Sequence, residues 1–141
     1  MIIVFIVNLL VIGLVVVIHY EFLHQITLIM PRLKIRHRFR IVLGVFVALT
    51  AHAAEVWIFA ISFFLMNNAE GWGHLEGNFE GTLLDCVYFS FTSYTTLGIG
   101  DIEPFGALRF LSGLESLTGL VLITWTASFL YLEMTRYWDE T

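Results

Sequence analysis

Charged side chains are scarce in this chain. They make up 13% of the 141 residues, against about 25% in a typical soluble domain. Hydrophobic residues make up 58%, and the mean hydropathy is +0.83. This composition excludes a water-soluble globular domain and predicts a membrane protein. Cysteine is nearly absent as well. Cys86 stands alone, so no intrachain disulfide can form, and a lone thiol packs as a small apolar filler. Basic residues are missing between Met66 and Leu108, a stretch that holds six carboxylates: Glu70, Glu76, Glu80, Asp85, Asp101 and Glu103. Five of the seven basic residues are gathered at Arg32, Lys34, Arg36, Arg38 and Arg40. No internal repeat is visible.

What is present is a set of long apolar runs. Met1 to Ile18 holds no charge and one amide, Asn8, and about 20 apolar residues suffice for a helix to span a bilayer. A cleavable secretory signal would need a basic n-region, a shorter apolar core and a small-residue cleavage site. Those flanks are lacking, which predicts an uncleaved helix. His19 to Arg40 is mixed: "EFLHQITLIMPRL" keeps a rough helical period up to Pro31, which would end a helix. "RLKIRHRFR" then alternates basic and apolar residues, as a solvated cytoplasmic loop or a segment lying on anionic head groups would. The second run, Ile41 to Met66, has His52 and Glu55 as its ionisable groups. The third, Gly106 to Leu132, carries Arg109 at its start and Glu115 inside.

Two pieces separate the second and third runs. "NNAEGWGHLEGNFEG" is rich in Gly, Asn and acids, which predicts a loop. "TLLDCVYFSFTSYTT" is apolar and aromatic but short for a full crossing, which predicts a re-entrant helix. The positive-inside rule puts the 32–40 cluster in the cytoplasm, the N-terminus and acidic loop outside, and the C-terminal tail with Arg136 back in the cytoplasm.

The segment that follows the short apolar piece is Thr95-Thr96-Leu97-Gly98-Ile99-Gly100-Asp101, with Pro104 close behind. Non-helical backbone at membrane depth is tolerated only where it is buried in protein or lines a water-filled path. Gly98 and Gly100 can take left-handed dihedrals at little steric cost. Alternating left- and right-handed residues turn successive carbonyls to one side, and such a row can replace the hydration shell of a monovalent cation.

This run resembles the potassium-channel pore loop, whose filter is built from four copies of such a segment. "VYFSFTSY", with Tyr88 and Phe89 adjacent, is similar to that family's pore helix. "LESLTG", Leu114 to Gly119, is similar to the inner helix of small prokaryotic inward-rectifier-like pores, which carry Leu-Glu before a hinge glycine. The resemblance covers Thr82 to Tyr131 closely and the second run in architecture; the first run is extra. Two departures stand out. Ile99 occupies a position where the family usually has Tyr or Phe, and Thr92 stands where some members place a carboxylate behind the filter.

The resemblance implies a filter at Thr95, Thr96, Leu97, Gly98, Ile99, Gly100 and Asp101. Potassium would be coordinated by the carbonyls of Thr96, Leu97, Gly98 and Ile99, with the Thr96 hydroxyl at the inner end. It implies a hinge at Gly119, a cavity lined by Ile123, Thr126 or Ala127, and Leu130 or Tyr131, and a homotetramer closed around the pore. K+ is then the permeant ion, with no cofactor and no enzymatic activity. The arginine-poor runs exclude an S4-type voltage sensor, and the residues after Leu132 are too few for a ligand-binding domain.

Ionisable residues inside a membrane run are costly and mark function by default. His52 and Glu55 share a helix face. At about 1.5 Å per residue, Glu55 lies roughly 16 Å in from Met66 and Glu115 roughly 14 Å in from Gly106. The three residues predict either a pH-sensitive cluster or a hydrogen-bonded strut. Metal ligation by His52 and Glu55, or by His19, Glu21 and His24, is a weaker alternative.

The expected fold is an all-α membrane protein with three transmembrane helices and a re-entrant pore helix before the third. Residues 1–40 would form an N-terminal helix and basic linker, and 41–141 a pore domain, in a prokaryotic inner membrane. The expected function is potassium-selective conduction. The alternatives are a weakly selective Na/K pore, a membrane metalloenzyme using His52, Glu55 and Glu115, and a non-conducting accessory subunit.

Overall fold

The computed structural model describes residues 2–138, with the side chains at 37, 38, 137 and 138 left outside the description, so that of Arg38 is not placed. Three long helices dominate: α1 (Ile2–Ile29), α2 (His37–Asn67) and α4 (Leu108–Trp138). Each supplies a segment long and apolar enough to cross a membrane: Ile2–Arg32 (α1 with the turn after it), Phe39–Asn67 and Leu108–Arg136. A shorter helix, α3 (Leu83–Tyr94), lies in the connection between α2 and α4 and packs against both. Its 12 residues reach about 18 Å at 1.5 Å per residue, short of a hydrocarbon core of about 30 Å. Helix α1 lies against α2 and α4.

The first helix is longer than its uncharged run. It does not stop at Ile18 but continues to Ile29, where a 3-10 turn over Met30–Arg32 holding Pro31 ends it. The extension is amphipathic. Leu23, Ile26 and Met30 are buried against Val47 and Phe129, while Glu21 and Gln25, one turn apart, pair at 2.6 Å on the exposed side. Helix α2 begins at His37, within the basic stretch. The basic stretch is therefore divided. Arg32 is in the 3-10 turn, Lys34 and Arg36 are exposed in the connection, and the Arg40 guanidinium donates to the Leu33 carbonyl at 2.7 Å.

The acidic segment is not wholly loop. Gly73–Gly77 forms β1, which pairs antiparallel with β2 (Ile102–Gly106), with Gly73 opposite Gly106 and Gly77 opposite Ile102. The glycines that signalled a loop let these two backbones approach. A Cβ at Gly73 would collide with the Phe105 carbonyl, and one at Gly77 with the Asp101 carbonyl. Both have a φ of +106°. The chain enters α3 through a capping box. The Thr82 hydroxyl accepts from the Asp85 N–H at 3.1 Å, and the Asp85 carboxylate accepts from the N–H groups of Thr82 and Glu80 at 3.0 Å each. These donors, the Thr82 backbone first, hold the Asp85 carboxyl below its usual range.

The core runs between the helices and under the strand pair: Val56, Phe59 and Phe63 of α2, Cys86 and Phe89 of α3, and Leu108, Leu111 and Leu122 of α4. Many large apolar side chains of α1, α2 and α4 are exposed on the single chain, including Phe5, Leu10, Phe46, Leu65, Leu117 and Tyr131. That is expected where the solvent is lipid or a neighbouring subunit.

Gly119 sits in the middle of α4, which runs through it unbroken. A Cβ there would collide with the Tyr94 carbonyl and approach its ring within 3.0 Å, so a glycine is what lets the end of α3 seat on α4. Gly44 differs: a Cβ would meet the mobile end of Met30 at 2.8 Å. Gly119→Ala is therefore expected to lower the thermal unfolding midpoint of the purified protein substantially, in line with an overpacking cost of about 1–3 kcal/mol. Gly44→Ala should cost less, because a side-chain tip can move and a backbone carbonyl cannot. Equal shifts would show that the Tyr94 contact is not rigid.

Candidate functional site

Beyond the end of α3 the chain leaves helical geometry with a regular dihedral pattern. Thr96, Gly98 and Gly100 have φ of +59°, +55° and +82°, while Thr95, Leu97 and Ile99 between them are not in the positive-φ region. The glycine spacing announced two of these positions. The third is a β-branched threonine, which takes positive φ only where its surroundings impose it. Two bonds anchor the start: Thr96 N–H donates to the Ser93 carbonyl at 3.0 Å, and Gly98 N–H reaches back to the Thr92 carbonyl at 3.0 Å. The Thr95 hydroxyl donates to the Phe91 carbonyl at 2.7 Å. Among the described residues, nothing donates to the carbonyls of Thr96, Leu97, Gly98, Ile99 or Gly100.

The far end is held differently. The Asp101 carbonyl accepts from Asn78 N–H at 2.8 Å, and the Tyr88 hydroxyl donates to its carboxylate at 2.9 Å. Asp101 is thus tied to α3 and to the strand pair, while the segment before it is exposed on the single chain, with Leu97 at 68% and Ile99 at 55%. Thr92 is buried, and its hydroxyl bonds the Phe89 carbonyl of its own helix.

Behind this segment lies a buried polar network joining four helices. His52 and Glu55 are brought together as their spacing predicts, with His52 Nδ1 3.1 Å from Glu55 Oε2. The structure adds His19 of α1, whose Nδ1 lies 2.8 Å from Glu55 Oε1, and Tyr94 of α3, whose hydroxyl bonds Glu55 and lies 2.9 Å from His52 Nδ1. Thr126 of α4 completes it: its Oγ1 is 3.3 Å from His19 Nε2 and 3.0 Å from His52 Nε2.

Glu115 is also fully buried, but its partner is Ser90, whose single hydroxyl also lies 2.9 Å from the Val56 carbonyl. No described residue partners Glu115 Oε2. The carboxyls of Glu55 and Glu115 are therefore coordinated separately. The set His19, Glu21 and His24 is not assembled. Glu21 and His24 are exposed, one paired with Gln25 and the other stacked on Tyr20. Thr126 faces inward to the histidines, while Ile123, Ala127 and Tyr131 are exposed on the single chain.

Sequence reasoning missed Tyr94 and Ser90, assigned Thr126 to the cavity lining, and grouped His19 with Glu21 and His24 rather than with Glu55. The helical period running on to Pro31 is the signal that carries His19 into the first helix; the two hydroxyls and the phenol carry none comparable.

Three long apolar helices packed around a short one define a helical membrane protein. Residues 41–136 match a family described as ion channel, and the chain belongs to that family. The resemblance to the potassium-channel pore loop agrees with this family, and the protein is a channel rather than an enzyme. Among curated proteins and solved structures, none matches the chain. The match begins at Ile41, so α1 lies outside it.

Ser90→Ala should leave the buried Glu115 without its partner and lower the unfolding midpoint, by an amount comparable to about 1–3 kcal/mol. The same change in a Glu115→Leu background should cost clearly less, a non-additivity read from the four midpoints. Equal costs in both backgrounds would assign the role of Ser90 to its bond with Val56.

Proposed function

We propose that the chain forms one quarter of a potassium-selective channel. α3 serves as a re-entrant pore helix, and Thr95–Asp101 as one wall of a fourfold filter. The observation that carries this is the alternation of positive φ at Thr96, Gly98 and Gly100 along a segment whose carbonyls have no described partner. A row of such carbonyls turned to one side takes the place of the water around a desolvated K+. The C-terminal end of α3 abuts this row, and the partial negative charge there favours a cation.

One chain supplies one wall, so the ring needs four copies around a closed axis. The exposed apolar faces of α2 and α4 are available for those contacts. Ile123, Ala127 and Tyr131 then line the path below the filter. The exposed carboxylates Glu76 and Glu103 stand beside Asp101 at the outer mouth, where a negative rim raises the local cation concentration. Arg32, Lys34 and Arg36 mark the cytoplasmic side and lie within reach of anionic head groups, which puts the N-terminus outside.

The test is a bilayer recording under opposed potassium and sodium gradients. The expected reversal potential lies near that of potassium, and Gly98→Ala abolishes the selective current because Ala resists the left-handed geometry. An unchanged potassium current in that variant would falsify the assignment.

One observation favours a weakly selective Na/K pore of the same build: Ile99 stands where an aromatic side chain would brace the filter, and it is exposed on the single chain. Ile99→Tyr is expected to raise the potassium-to-sodium permeability ratio or leave it unchanged. A fall in that ratio would show that Ile99 is already matched to its packing.

A further inference from the structure

We propose that His19, His52 and Glu55 form a binding site for a divalent cation of the zinc type, with the Tyr94 oxygen as fourth ligand. The inference rests on the buried network alone and is independent of which monovalent ion the pore passes.

The ligand atoms already converge. One atom from each of His19, His52 and Glu55 lies within 4.8 Å of the other two. Both histidines direct Nδ1 to the same carboxylate, at 2.8 and 3.1 Å from its two oxygens. Ligands placed tetrahedrally about 2.0 Å from zinc stand about 3.3 Å apart, so an ion enters if these pairs open by a few tenths of an ångström. Two imidazoles and two oxygens form a borderline donor set of the kind that suits zinc. Tyr94 oxygen stands 2.9 Å from His52 Nδ1 and bonds Glu55, so it adjoins two of the three ligand groups.

The surroundings fit the same occupant. A histidine that ligates a metal through one ring nitrogen directs its other N–H to a fixed acceptor. Here both Nε2 atoms converge on one hydroxyl, Thr126 Oγ1, at 3.3 and 3.0 Å. With zinc on both Nδ1 atoms, each neutral ring carries its proton on Nε2, and the two lone pairs of the Thr126 oxygen accept both. The Glu55 carboxylate offsets one of the ion's two positive charges. The His52 side chain is 17% exposed while those of His19 and Glu55 are fully buried, so the way in lies on the His52 side. The bound ion would tie α1, α2 and α3 together at Tyr94, the residue just before Thr95.

The experiment uses the full chain in detergent, dialysed against a chelator and then titrated with zinc chloride, with metal per chain read by mass spectrometry. One zinc per chain is expected. It should be retained in His74→Ala, which removes the exposed His74–Glu76 pair (2.8 Å apart) as a competing site. Binding should weaken at least tenfold in His19→Asn and Glu55→Gln, and about 10–100-fold in Thr126→Val. Cobalt(II) added to the unmutated protein needs no variant to fold, and should give the intense visible bands of a four-coordinate ion. Zinc that survives His19→Asn, zinc lost in His74→Ala, no binding at all, or the weak bands of six-coordinate cobalt would each overturn the proposal.

Discussion

The Glu55 carboxylate, fully buried among apolar helices, is the constraint around which the rest of the molecule is arranged. Moving an ionised carboxylate out of water costs several kcal/mol even after relaxation, and that cost is recovered only where donors converge on it. Here the donors come from different elements: His19 from α1, His52 from α2 itself and Tyr94 from α3, while Thr126 of α4 holds the far sides of both imidazoles. Single hydrogen bonds between helices in a membrane are worth about 0.6 kcal/mol on average. No one of them holds the bundle; the shared acceptor does, because displacing any of these helices strands a buried polar group.

That arrangement reaches the proposed filter through one residue. Tyr94 is the last residue of α3, and its hydroxyl is fixed in the network while its carbonyl rests on Gly119 of α4. The segment that follows begins with an N–H bonded to Phe91 and a hydroxyl bonded to the same carbonyl, and it ends at Asp101, pinned by Tyr88 and Asn78. Both ends are held, and the carbonyls between them are left available. In the proposed filter, a permeating cation takes the place of those missing partners.

The first helix takes on a different meaning in this light. It lies outside the region that matches the ion-channel family, and its exposed surface is largely apolar. Yet His19 makes it part of the network beside the proposed filter, and its extension past Ile18 packs Leu23, Ile26 and Met30 on Val47 and Phe129. It is integrated with the pore helices on its inward face and presents lipid-compatible side chains elsewhere.

Much of this could be read from residue order. Composition and run length determined three membrane-spanning helices, because hydrophobic thickness sets a minimum length that no other signal imitates. The glycine alternation located the special backbone at Gly98 and Gly100, since positive φ has a sequence signature when glycine supplies it. His52 and Glu55 were legible as partners because three residues is a local spacing on one helix face. Tertiary structure alone decided the rest. Thr96 adopts positive φ without a glycine to announce it, and the glycine-rich acidic segment pairs with Ile102–Gly106 across a gap that local pattern does not bridge. Glu115 turns to Ser90 rather than to Glu55, although depth along the helices puts the two carboxyls at similar levels. His19 and Thr126, 107 residues apart, meet directly at 3.3 Å. Depth is a one-dimensional quantity that a sequence encodes, whereas the rotation of each helix about its axis, which chooses the partners of a buried side chain, is set only when all four helices pack.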